Sequence, residues 1–166
     1  LSVCDTQNGH NEVQLPEQFV AKRSYDELLV EKVQPKLVLS SIYLTENEWI
    51  KFGKYRIFVG NLLSHQPTYK NSKAVYYFNS EYIDKPLFVR TFKQGDRIHL
   101  PGMEQAKRIS RIFIDQKIPV DERQLLPVIA TEDEIVAVGS IRHSKKVSKS
   151  KRPFDNCVII IKDDSL

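Results

Sequence analysis

Hydrophobic and polar positions follow a two-residue period through the first half of the chain and change to a helical period only once. Residues 13–15, 19–25 and 28–33 alternate weakly, with Pro16 and Pro35 as stops. Residues 37–44 are apolar and β-branched. Residues 55–59 form a sharper strand pattern between Gly53 and Gly60, and residues 74–78 are aromatic and β-rich. Residues 87–92 lead into a turn at Gln94, Gly95 and Asp96. Each of these runs is expected to be a strand. Residues 1–11 are expected to be a flexible lead-in and residues 64–73, polar with one proline, a loop.

The period changes at Glu104. Ala106, Ile109, Ile112 and Phe113 fall at i, i+3, i+6 and i+7, which is one face of a helix over about residues 104–115. Ile118 and Pro119 close it, because the residue before a proline avoids helical backbone. Asp121 is suited to cap a one-turn helix at residues 122–125. Residues 126–130 and 135–138 predict a hairpin around the polar turn 131–134, and residues 157–162 a final strand. The expected fold is α+β: a mainly antiparallel β-sheet with one principal amphipathic helix and a second short helix. A division is expected between a β-rich segment, 1–73, and an α+β domain, 74–166.

Composition narrows the class. Of 166 residues, 41% are hydrophobic and 28% charged, which supports a packed core and excludes global disorder. No apolar run approaches the length of a membrane span, and the first ten residues lack the pattern of a signal peptide. The two cysteines, Cys4 and Cys157, lie far apart, which fits a reducing, cytoplasmic setting. The only methionine is Met103, so the chain is expected to be a piece of a longer protein. The four histidines show no ligand spacing, so no metal site is expected. Gly53 and Lys54 lack the further glycines of a phosphate loop, and no catalytic site is expected.

The charge is +4. It concentrates where the period changes, in residues 92–128, and again in the basic loop 145–152. Lys107, Arg108 and Arg111 fall off the apolar stripe of the expected helix.

A set of short motifs gives this region a family likeness. Leu87, Phe88, Val89 and Arg90; Gly95, Asp96 and Arg97; Gly102; Lys107; Phe113, Ile114 and Asp115; Lys117, Ile118 and Pro119; Arg123; Leu126, Pro127 and Val128; and Val138 and Gly139 follow in an order and spacing that resembles the C-terminal domain of bacterial tRNA(Ile)-lysidine synthetase. The likeness covers residues 87–143. Leu15, Pro16 and the run Tyr25, Asp26, Glu27, Leu28 resemble the β-rich segment that precedes it in that family. The resemblance implies a parent ligase that uses ATP, with Mg, to adenylate the wobble cytidine of an isoleucine tRNA and then joins lysine to it. The parent's catalytic domain carries a Ser-Gly-Gly-x-Asp-Ser loop that this chain lacks. The chain is thus expected to be a non-catalytic accessory part that grips the acceptor stem of tRNA(Ile), alongside the parent's own N-terminal catalytic domain.

An RNA duplex admits few side chains to its major groove. A protein therefore reads a stem through phosphates, 2′-hydroxyls and shape, which favours Arg and Lys on a rigid frame. The candidate RNA contacts are Arg90, Arg97, Lys107, Arg108, Arg111, Lys117, Arg123 and Arg142. Each has a plainer reading as a solvated charge or a local ion pair, strongest for Arg97 beside Asp96 and Arg123 beside Asp121 and Glu122. The loop 145–152 reads either as a mobile solvated segment or as added phosphate attraction. Trp49, Tyr76, Tyr77 and Tyr82 could stack on bases but suit a core equally. The alternative function is a docking or dimerisation module, for the parent's catalytic domain or a homodimer, with no RNA contact.

Overall fold

The computed structural model describes residues 10–15, 19–24, 27–32 and 39–164. The chain forms two compact units, residues 1–38 and 39–166. In the first, β1 (His10–Leu15), β2 (Phe19–Ser24) and β3 (Glu27–Lys32) make an antiparallel meander in that order. His10 and Asn11, expected in the lead-in, belong to β1; the rest of that lead-in lies outside the described residues.

The second unit holds β4 (Ile42–Tyr43), β5 (Glu48–Phe52), β6 (Tyr55–Asn61), β7 (Ser72–Phe78), β8 (Phe88–Arg90), β9 (Arg97–Ile98), β10 (Lys107–Arg108), α1 (Ile109–Asp115), α2 (Val120–Arg123), β11 (Val128–Ala130), β12 (Ile135–Val138), β13 (Arg142–His143) and β14 (Cys157–Asp163). Its strands form a four-stranded sheet, β5-β6-β14-β7, a five-stranded sheet, β13-β12-β11-β8-β4, and the ladder β10-β9. Every pairing is antiparallel. The fold is α+β, as the sequence pattern predicts.

Burial assigns the layers. Phe52, Ile57, Tyr76, Ile159 and Ile161 of the four-stranded sheet pack with Val89, Ile129, Val136 and Ala137 of the five-stranded sheet. The opposite face of the five-stranded sheet, through Val128, Ala130, Ile135 and Val138, packs on Ile109, Ile112 and Phe113 of α1. Each of these three helix side chains contributes about 1.5–3 kcal/mol by leaving water. Strand β14 is apolar without alternation because both its faces are covered. Val158 and Ile160 meet Phe58 on one side, and Ile159 and Ile161 face the main core on the other.

Four expectations are corrected. The division falls at 38/39 instead of 73/74, since β6 and β7 both pair with β14 and belong to one sheet. The helix begins at Ile109, not near 104, because the backbone of Lys107 and Arg108 is taken by pairing with Ile98 and Arg97; Ala106 is only half-buried ahead of it. The second helix starts at Val120, two residues ahead of the expected start at Glu122, so Pro119 and not Asp121 holds the cap position. Of the apolar run 37–44, only Ile42–Tyr43 is strand among the described residues. Strand β5 had no clear alternation to reveal it. Gly53, at φ 57°, and Lys54 make the tight turn between β5 and β6.

Helix α1 ends in a Schellman motif. Ile118 N–H donates to the Phe113 carbonyl at 2.9 Å and Lys117 N–H to the Ile114 carbonyl at 3.0 Å. This geometry puts Lys117 in left-handed backbone, φ 54°, a position glycine usually fills. Lys117→Gly is expected to raise stability by roughly 0.5–1 kcal/mol. The check is a urea midpoint that moves up with an unchanged slope.

Candidate nucleic-acid interface

The candidate cations gather around the start of α1, and the scaffold there is set by Asp96. Its carboxylate takes a two-pronged pair from Arg90, at 2.7 and 3.0 Å, and accepts Lys93 N–H at 2.8 Å. Its backbone carbonyl accepts Ile109 N–H at 2.9 Å, the first amide of α1. Both side chains of the pair are largely out of water, at 14% and 12% exposure. Gly95, at φ 94°, supplies the left-handed turn that points Asp96 inward. Arg90 is therefore committed to fixing β8, the turn and the helix start, and removing either partner would strand a buried charge.

The next residues carry the free charge. The β9–β10 register sets Arg97 directly opposite Arg108. Both are exposed, and among the described residues no carboxylate pairs with either. Arg97 reaches only the Ala106 carbonyl, at 3.4 Å. Like charges facing across a ladder destabilise it unless an anion lies between them.

Beside this pair, Asp115 at the end of α1 holds Lys107 at 2.8 Å and Arg111 at 3.2 Å. The Lys107 hydrogen bond, with the added fields of Arg111 and Arg142, holds the Asp115 carboxyl below its usual range. One carboxylate among three cations leaves a local excess of positive charge. Arg142, in β13 at the edge of the five-stranded sheet, is aimed by its own bond to the Ile141 carbonyl at 2.8 Å.

The remaining candidates stand apart. Arg123 donates to the Ile118 carbonyl at 2.9 Å and lies over the Phe113 ring, so it clamps the corner between α1 and α2. Lys117 is exposed at that corner. The loop 145–152 is tied to the fold at several points. Val147 is buried, Ser148 exchanges two backbone hydrogen bonds with Tyr77 at 2.7 and 2.9 Å, and Arg152 is held by Asp155. Its Lys145, Lys149 and Lys151 remain exposed.

The aromatic candidates divide between core and surface. Tyr76 is fully buried with its hydroxyl donating to the Gly139 carbonyl at 2.8 Å, and burial pushes its pKa to about 12. Trp49 packs on Phe58 beneath Lys162, and Tyr82 is exposed. The pairing of Arg97 with Arg108 could not be found from spacing, because it depends on a two-residue ladder with no periodic signal.

The second unit is a small α+β domain that sets Arg97 beside Arg108, and among the described residues no group of His, Cys, Asp and Glu could hold a metal. Residues 87–154 match the family described as TilS substrate C-terminal domain. It is 31% identical over 155 residues to a tRNA(Ile)-lysidine synthase of Caldanaerobacter subterraneus, covering 90% of this chain and 32% of the relative. It is 29% identical over 161 residues to a bifunctional protein TilS/HprT of Listeria monocytogenes, covering 93% and 24%. The chain thus spans about a third or less of these relatives. A solved structure titled as a TilS C-terminal domain aligns with a TM-score of 0.61 at 23% identity, over 75% of this chain and 98% of that one, which shows the shared fold. No helix among the described residues is long and apolar enough to cross a membrane.

Proposed function

We propose that the chain is the accessory tRNA-binding part of a cytoplasmic tRNA(Ile)-lysidine synthase and contacts the acceptor stem through Arg97, Lys107, Arg108, Arg111 and Arg142. The relatives' names supply the substrate class. The observation that carries the surface is the register that forces Arg97 against Arg108 with no acid to neutralise them. A run of stem phosphates would relieve that repulsion and meet the excess charge around Asp115. Arg90 and Arg123, engaged within the fold, support the frame and leave the phosphates to the others. Lys117 and the exposed lysines of the loop 145–152 would add weaker attraction.

In the parent enzyme, ATP, Mg and the wobble cytidine would be handled by the catalytic domain, and this region would hold the body of the tRNA for it. Binding of the chain to an acceptor-stem minihelix should fall steeply with salt. The log–log slope should be roughly −3.5, at about 0.9 per phosphate neutralised by five cations of which Asp115 offsets one. The chain alone should form no lysidine. A flat salt response, or no binding, would favour a protein-docking module instead.

A further inference from the structure

We infer that Asp115 reads ribose 2′-hydroxyls of the bound stem, a specificity role that rests on the tRNA-binding reading. It lies among the proposed contacts, with Lys107 on one carboxylate oxygen at 2.8 Å and Arg111 on the other at 3.2 Å. Arg97, Lys107, Arg108, Arg111 and Arg142 can only donate hydrogen bonds from their charged ends, and an ionised carboxylate can only accept them. Donors alone suit the phosphates of any duplex, RNA or DNA. A carboxylate repels phosphate. On a phosphate-binding face it lowers affinity unless it meets a donor of the nucleic acid.

An RNA stem supplies that donor. Its wide, shallow groove displays 2′-hydroxyls, which DNA lacks. Asp115 has the capacity to take one. Its two ion pairs use two of about four lone-pair positions, and its side chain is 36% exposed. The Lys107 hydrogen bond holds its carboxyl below the usual range, so it stays ionised at neutral pH. Lys107 reaches it from β10 and Arg111 from one turn back in α1, and together they fix its direction.

A purely structural role accounts for Asp115 poorly. It is the last residue of α1, the end where the helix dipole disfavours a negative charge. The Arg111 side chain is 66% exposed, and ion pairs as open as this add little to stability.

The test uses the whole chain and two minihelices of one sequence, one with ordinary ribose and one with 2′-fluoro ribose, which keeps the A-form shape and cannot donate. The unaltered chain should bind the ribose stem at least about tenfold tighter, the low end for a hydrogen bond to a charged group. Asp115→Ala should bring that ratio to about one. It should also bind the 2′-fluoro stem more tightly than the unaltered chain does, because the repulsion is gone. Asp115→Asn keeps one accepting oxygen and should give an intermediate ratio. If Asp115 only holds Lys107 and Arg111, Asp115→Ala would weaken both stems equally and leave the ratio unchanged, which would overturn the inference. A third stem, with inosine in place of guanine, lacks the base amino donors of the same groove. Weakened binding there, with none on 2′-fluoro substitution, would assign Asp115 to a base edge and overturn it too. Equal affinities for all three stems in the unaltered chain would remove the hydroxyl reading and leave stem binding standing. Failure to bind any of them would remove both readings.

Discussion

Replacing Arg97 and Arg108 together by Ala should weaken binding to an acceptor-stem minihelix by roughly a hundredfold or more, since hydrogen bonds to charged groups contribute about 1.5–3 kcal/mol each. It should also flatten the salt slope by about 1.8. Stability should move the other way. The two side chains face each other across the β9–β10 ladder without a counter-charge, and like charges in that position cost about 0.2–1 kcal/mol. The double variant should therefore be as stable as the parent chain or slightly more so. A surface that lowers stability while serving binding is the signature expected of a functional site. Changing Lys51 and Lys73, both exposed and on the four-stranded sheet, removes the same net charge. If that control weakens binding equally, the attraction is diffuse and the arginine pair has no special place in it.

Ile112→Asp should abolish cooperative folding of the second unit. Ile112 is 1% exposed and lies in the cluster with Phe92, Leu100, Val128 and Ala130, between α1 and the five-stranded sheet. An unpaired carboxylate there costs several kcal/mol, comparable to the whole stability of a domain of this size. Two residues along the same helix, Ile114 is 54% exposed, and Ile114→Asp should shift stability by about 0.5 kcal/mol at most. Circular dichroism with urea titration of both variants checks the pair. A cooperatively folded Ile112→Asp chain would mean that α1 is not packed through this face.

The elements read well from the sequence were those with a strong period. The final strand, the hairpin at residues 128–138 and the stripe Ile109, Ile112, Phe113 all lie where hydrophobic spacing puts them. The helix start was misplaced for a physical reason. Ala106 continues the helical spacing by accident, while tertiary pairing claims the next two residues as strand. The boundary at 73/74 failed because a polar loop looks the same whether it separates domains or joins two strands of one sheet. Here it joins β6 and β7 around β14, which lies far along the sequence from both.

The candidate site was legible as a set of charges and not as an arrangement. Spacing could not say that Arg90 is consumed by Asp96, that Arg123 is consumed by Ile118 and Phe113, or that Arg97 and Arg108 face each other. The basic loop 145–152 looked mobile because it is polar. Its single buried anchor, Val147, and its bridge to Tyr77 give no signal in composition.

Amide hydrogen exchange of the chain, alone and with an acceptor-stem minihelix, tests the location of the RNA surface most directly. Contact through the basic face predicts added protection at residues 97–98, 106–111 and 141–143, and none on β5, the outer edge of the four-stranded sheet. Protection confined to β5 and β6, or no protection at RNA concentrations that saturate binding, would contradict it.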